Sequence, residues 1–291
     1  MSVPEPTTTL TSRLAALAQR LGLTGRAPRQ ILERASALRL PFNPLPPLRD
    51  SIWWQAGVPL QRLVELRRGA LSGPVQEDKA QAHGMLVRLV EQHERTFASF
   101  DLRLIDGLGG DYANEPLHAH LEDYATAARC RAVRIISYKD FVRTISQPLP
   151  RFLAGEPIKL LQASWNGSRL YWAGEQHNEE LAGAIVYARR RELEVTLPAQ
   201  LTSYRLSPEG LEAFKANYHV LAMPVHAWSD PLFMGLLLDN GLPYARLSLL
   251  RTPGSPEFLL LPKDNPEAMA LGEGLRLAGA PDVLLYLSSL R

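Results

Sequence analysis

Ile158-Lys-Leu-Leu-Gln-Ala-Ser-Trp165, Asn166-Gly167 and Ser168-Arg-Leu-Tyr-Trp172 form two β-prone runs around one dipeptide. Asn-Gly suits a type I′ turn, in which both central residues take positive φ, so the stretch reads as a β-hairpin. In that register Leu161 stands opposite Trp172 and Ala163 opposite Leu170. Upstream, Ala132–Ser137 reads as a strand and Lys139–Ile145 as a short helix. Downstream, Glu175–Arg191 reads as a helix with Glu175, Glu179 and Glu180 at its start and Arg189, Arg190 and Arg191 at its end. Those charges oppose the helix dipole at both termini, and Leu181, Ala184, Ile185 and Ala188 recur as its buried stripe. Glu192–Leu197 then alternates as a strand. The order from Arg131 to Leu197 is therefore β-α-β-β-α-β, the split arrangement of ferredoxin-like folds.

The flanks extend this into an α+β class, with a helical N-terminal part followed by a mixed or antiparallel sheet and flanking helices. Leu10, Leu14, Leu17, Ala18 and Leu21 mark a first helix, and Pro28–Leu40 a second. Pro41-Phe-Asn-Pro-Leu-Pro-Pro47 reads as a polyproline-like linker, and Ser51–Arg68 carries an amphipathic stretch from Pro59. Glu77–Phe97 and Pro116–Arg129 read as helices, with Phe100–Ile105 as a strand and Asp106–Asp111 as a turn between them. A helix is expected from Ser207 to about Ala222 and another from Asp230 to Asn240-Gly241. Ala245–Arg251 and Glu257–Leu261 form a second hairpin, and helices Pro266–Leu277 and Pro281–Leu290 close the chain. Three regions follow: a basic helical 1–75, a helical 76–130 and an α+β domain over 131–291.

Composition narrows the class further. The 291 residues carry 32 Lys+Arg against 30 Asp+Glu, with hydrophobic residues at 46%. That balance excludes a disordered chain, and the longest apolar runs are far shorter than the roughly 20 residues of a membrane helix. One cysteine excludes an internal disulfide scaffold and points to the cytoplasm. Arg outnumbers Lys 27 to 5, which fits a GC-rich bacterial genome. The charge is uneven along the chain. Residues 1–75 hold ten Arg and four acids, net +6, whereas residues 76–291 are net −4.

Several constellations invite chemistry. His118 and His120 lie near Asp111, Glu115 and Glu122, but a two-residue spacing on a helix turns the imidazoles to opposite sides, so no metal site is expected. Gly107, Gly109 and Gly110 are bracketed by Asp106 and Asp111, whose charge repels a phosphate. Cys130 falls at a helix C-terminus, where the dipole disfavours a thiolate. His177 sits at the first turn of the best-marked helix, where the dipole keeps an imidazole neutral and able to act as a base. Glu192-Leu-Glu194 has the bare Glu-x-Glu spacing of ADP-ribosyltransferases, in which one carboxylate orients a ribose and the other the acceptor; the upstream Arg and Ser-Thr-Ser-like segment of those enzymes is not evident. No cofactor fingerprint or G-x-S-x-G is present.

The reading favoured by these residues is a non-catalytic binding or regulatory module. Its partner surface is expected at the aromatic hairpin (Trp165, Tyr171, Trp172) or at the basic N-terminal helices, represented by Arg13 and Arg20. The alternative is an enzyme acting on a small molecule or nucleotide through His177, Glu192 and Glu194. A third reading is contact between the basic front and nucleic-acid phosphates.

Overall fold

The computed structural model describes residues 25–45, 47, 48, 50–110, 118–250 and 255–290, together with Leu14 and Leu17. The first expected helix, with Arg13 and Arg20, therefore lies mostly outside the described residues. In chain order the helices are α1 (Arg26–Ser36), α2 (Gln76–Leu86), α3 (Leu121–Ala125), α4 (Tyr138–Ile145), α5 (Asn178–Arg190), α6 (Pro208–Asn217), α7 (Pro231–Leu238), α8 (Pro266–Leu277) and α9 (Val283–Ser288). The strands are β1 (Leu71–Ser72), β2 (Val90–Asp101), β3 (Gly107–Leu108), β4 (Ile158–Ala163), β5 (Leu170–Trp172), β6 (Thr196–Leu206), β7 (Tyr218–Met223), β8 (Ala245–Leu247) and β9 (Glu257–Pro262). The class is α+β. Among the described residues no helix is long and apolar enough to cross a membrane.

Contacts divide the chain into two compact units. One gathers Arg62–Leu89, Ser207–Ser289 and the described part of Met1–Pro46; the other gathers Pro47–Gln61, Val90–Leu206 and Leu290. These bounds cut across the expected regions 1–75, 76–130 and 131–291, because each unit draws strands and straps from distant parts of the chain.

The first unit holds a four-stranded antiparallel sheet, order β1-β8-β9-β7. All six residues of β7 are buried. Its helices start where side chains supply the missing acceptors. Ser207 accepts from the Gly210 amide, Asp230 from that of Phe233, and Asn265 from those of Glu267 and Ala268. The helix expected from Ser207 to Ala222 ends at Asn217, and Tyr218 onward pairs with β9 instead. The second basic helix is α1, shorter than Pro28–Leu40. Ile31, Leu32 and Ala35 share a core with Leu271 and Leu275 of α8, while Arg26, Arg34 and Arg39 face outward.

The second unit holds a five-stranded mixed sheet, order β2-β6-β4-β5-β3. Strand β6 is antiparallel to β2 and parallel to β4, so the sheet is built around it. Helix α5 packs on one face through Leu181, Ala184, Ile185 and Ala188, all fully buried as its periodicity predicts. The strap around Ser51–Trp54 closes over Tyr171, whose hydroxyl donates to the Ser51 carbonyl at 3.1 Å.

Four expectations change here. First, the helix expected over Glu77–Phe97 stops at Leu86, and Val90–Asp101 is an edge strand. From Glu91 to Thr96 both of its faces meet solvent, so the two-residue hydrophobic alternation that marks a half-buried strand never arises. The strand expected over Phe100–Ile105 is accordingly the end of β2 followed by a 3₁₀ turn, Leu102–Leu104. Second, Ala132–Ser137 forms no strand. Ala128–Ala132 is a 3₁₀ turn, and the ferredoxin-like order is lost with its first strand. Third, the expected helix Pro116–Arg129 shrinks, within the described residues, to the five residues of α3. Fourth, the strands of the first hairpin pair one residue out of the expected register: Leu160 faces Trp172, Leu161 faces Tyr171 and Gln162 faces Leu170. Ser164–Asn166 winds into a 3₁₀ turn, and positive φ falls on Gly167 and Ser168 rather than on Asn166 and Gly167. The one-residue slip changes which side chains stand opposite one another, while Tyr171 and Trp172 are both buried.

Candidate functional site

The three groups proposed for acid–base work do not converge. His177 is the N-cap residue of α5 and Glu192 follows its C-terminal end. Fifteen residues at 1.5 Å rise put them about 20 Å apart. Glu194 lies beyond Glu192 again. His177 is in the left-handed region at φ 59°, with its side chain 44% exposed and its Nδ1 3.7 Å from a Glu180 oxygen. That backbone strain has a testable consequence. His177→Gly removes a Cβ from a conformation costly to an L-residue, and is expected to raise stability by about 1 kcal/mol in urea unfolding.

The aromatic hairpin is interior. Trp165 and Tyr171 are each 2% exposed and Trp172 6%, too little for a partner surface. Trp54 stacks edge-on against Tyr171 at 5.3 Å, and burial pushes the Tyr171 phenol up to about 12. It therefore stays protonated as the donor to Ser51. Arg13 and Arg20 lie outside the described residues. His118 precedes α3 rather than lying on it, so helical phase does not set its direction; its ring stands edge-on to Tyr124. Cys130 is a buried thiol.

What the fold does assemble is a cleft of about 360 Å³ at the end of the second unit's sheet. Three elements line it: Arg95 from β2; Ser203, Tyr204 and Arg205, with Leu201, from β6; and Gln162, Ser164 and Ser168 from β4 and the hairpin turn. Directly paired residues share a face, and the register pairs His93 with Ser203, Arg95 with Leu201 and Gln162 with Ser203. Farther along this face the sheet carries core side chains such as Leu160 and Ala199. At this end the face turns polar and stays open.

The lining contains no carboxylate, and both of its charged groups are guanidinium ions. Neither Arg95 nor Arg205 takes part in an ion pair among the described residues. Glu91, opposite Arg205 in the ladder, has its carboxylate 3.6 Å from His93 instead. The hydroxyls are set by the main chain. Ser203 Oγ donates to the His93 carbonyl at 3.3 Å, while Ser164 Oγ accepts from the Leu206 amide at 3.5 Å and keeps its own proton. Gln162 donates to the Ser168 carbonyl at 2.6 Å, which braces the turn.

Sequence reading missed this cleft because β2 was read as the second half of a helix. The available signal was pairing: with residues 90–101 aligned antiparallel to 196–206, Arg95, Ser203 and Arg205 fall on one face.

A family model described as a family of unknown function, DUF6685, matches residues 95–291. No curated protein and no solved structure matches the chain.

Proposed function

The chain belongs to DUF6685, whose description assigns no activity, and from its geometry we propose a non-catalytic binding or regulatory module working through the cleft between β2, β6 and the hairpin turn. The observation that carries this reading is the lining itself. Two guanidinium ions with no ion pair among the described residues and three serine side chains face one open cavity, whose described lining holds no carboxylate. The hairpin keeps its part in binding, through its polar turn rather than its buried aromatic rings. The compartment proposed is the bacterial cytoplasm, supported by the single buried thiol and the Arg-rich composition.

Ser203→Trp tests this without assuming a ligand. Ser203 is half-buried at the centre of the cleft, and an indole there fills it. Wild type and variant are affinity-purified from the native host and the bound species identified by mass spectrometry. A species held by wild type and lost from an equally stable variant is the expected result. The same species recovered equally with both would overturn the reading.

A further inference from the structure

The chemistry of the cleft names a ligand class, an inference that rests on the binding-module reading. We propose that the cleft takes a small ligand carrying two oxyanion groups, of the diphosphate or bisphosphate kind, one group held by Arg95 and the other by Arg205.

Charge supplies the first reason. A guanidinium offers a planar fork that matches phosphate oxygens two at a time, and a fork without an ion-pair partner keeps that capacity whole. With no carboxylate in the lining, a metal ion or a cationic ligand finds no counter-charge there.

Spacing supplies the second. Arg95 stands opposite Leu201, and Arg205 lies four residues farther along β6. At about 3.3 Å per residue the two backbone anchors are ~13 Å apart along the strand. Both anchors lie on the same face of the sheet, so two guanidinium ions separated in this way can each meet one oxyanion of a linked pair. Between them the floor carries the Leu201 side chain and the hydroxyl of Ser203. The proton on Ser164 Oγ, left over while that oxygen accepts from Leu206, is available to a ligand oxygen. The volume, about 360 Å³, lies at the small end of the range for small-molecule sites.

Isothermal titration of the full chain with pyrophosphate and with inorganic phosphate tests this. Pyrophosphate is expected to bind one to one and at least tenfold more tightly than phosphate. Arg95→Ala and Arg205→Ala are each expected to weaken pyrophosphate roughly tenfold or more, as the loss of a charge-assisted hydrogen bond implies. Both residues are exposed, so the unfolding midpoints should stay put, and Arg→Lys at either position should restore part of the affinity. Added salt should weaken binding in wild type more than in either alanine variant. Pyrophosphate binding no tighter than phosphate, or indifferent to both alanine variants, would overturn the proposal. So would a single-stranded oligonucleotide that the protein retains and pyrophosphate cannot displace. If Ser203→Trp still loses its host species while pyrophosphate fails, the oxyanion class falls and the binding module stands. If pyrophosphate binds through both arginines while Ser203→Trp keeps every host species, the ligand class stands and those species bind elsewhere.

Discussion

Arg189→Ala is expected to cost the protein about 2–3 kcal/mol, more than any other single exposed-edge charge deletion described above. The side chain sits near the C-terminal end of α5 and ties that helix to the turn after β2. Its Nε donates to the Arg103 carbonyl at 2.9 Å, Nη2 to the Ile105 carbonyl at 2.8 Å and Nη1 to Glu122 at 2.8 Å. Asp106 stands 3.8 Å away. Alanine takes the arginine donors from both carbonyls. The Glu122 pair adds less, because its carboxylate side is 41% exposed and water screens it. Lysine can restore a charge near Glu122 but not the fork that reaches two carbonyls, so Arg189→Lys should recover only a minor part of the loss.

The pH dependence separates these contributions. Burial raises the Glu122 pKa, but the hydrogen bond and charge of Arg189, with its own main-chain amide, outweigh that and hold it below its ordinary value. A carboxyl depressed in the folded state contributes stability that is complete above its unfolded pKa and disappears as pH falls through the folded one. In urea titrations the gap between wild type and Arg189→Ala should therefore narrow on acidification below the ordinary carboxylate range. It should not close, since the two carbonyl bonds do not titrate. A gap independent of pH would show that Glu122 contributes nothing through Arg189.

Gly107→Ala is the second large effect, expected at about 2–3 kcal/mol from overpacking. A Cβ at this position would overlap the Ile52 carbonyl oxygen and the ring of Tyr171. The carbonyl is the less forgiving obstacle. It accepts from the Leu108 amide at 2.6 Å and belongs to a strap fixed again by Tyr171 to Ser51. Relief of the overlap requires β3 to leave β5, and the Trp53 bridge to Leu108 goes with it. Gly84→Ala is the control: the space around that helical glycine is open, and alanine should stabilise by about 1 kcal/mol. Thermal melts with near-ultraviolet dichroism would read both. An unchanged melt and aromatic signal in Gly107→Ala would show that β3 is not held as described.

Gly107 also shows where sequence reading stops. Asp106–Asp111 looked like a turn because its glycines and acids carry turn chemistry. Gly107 instead lies in β3, where its missing side chain lets a ring and a carbonyl approach, and only the tertiary partner reveals that. By contrast, α8 was legible to the residue, since Asn265 and Pro266 mark its start by local bonding alone. The buried stripe of α5 was legible for the same reason, being a property of one helix. Both strands of the hairpin at 158–172 were visible, but their register was not, because Ser164–Asn166 tightened into a turn that moved the positive φ angles downstream. The cleft needed three strands in register, one of them disguised as a helix, and its signal lay only in the pairing of 90–101 with 196–206. Of the candidate residues, His177 and Glu192 stand at opposite ends of one helix and the hairpin aromatics are buried, while Arg95 and Arg205 gave no local signal.

The interleaving of the two units sets an order on synthesis. The strap Pro47–Gln61 emerges first and waits for Val90–Leu206. Once residue 206 leaves the ribosome, β6 can meet β2, β4 and the waiting strap, and that unit can close. The other unit has no such early exit. Its α1 shares a core with α8, so a helix made near the beginning holds its apolar face uncovered until residues near the C-terminus arrive. A pause in translation after residue 206 would leave one unit able to close and the other with its leucines uncovered, the kind of exposed apolar surface that favours aggregation.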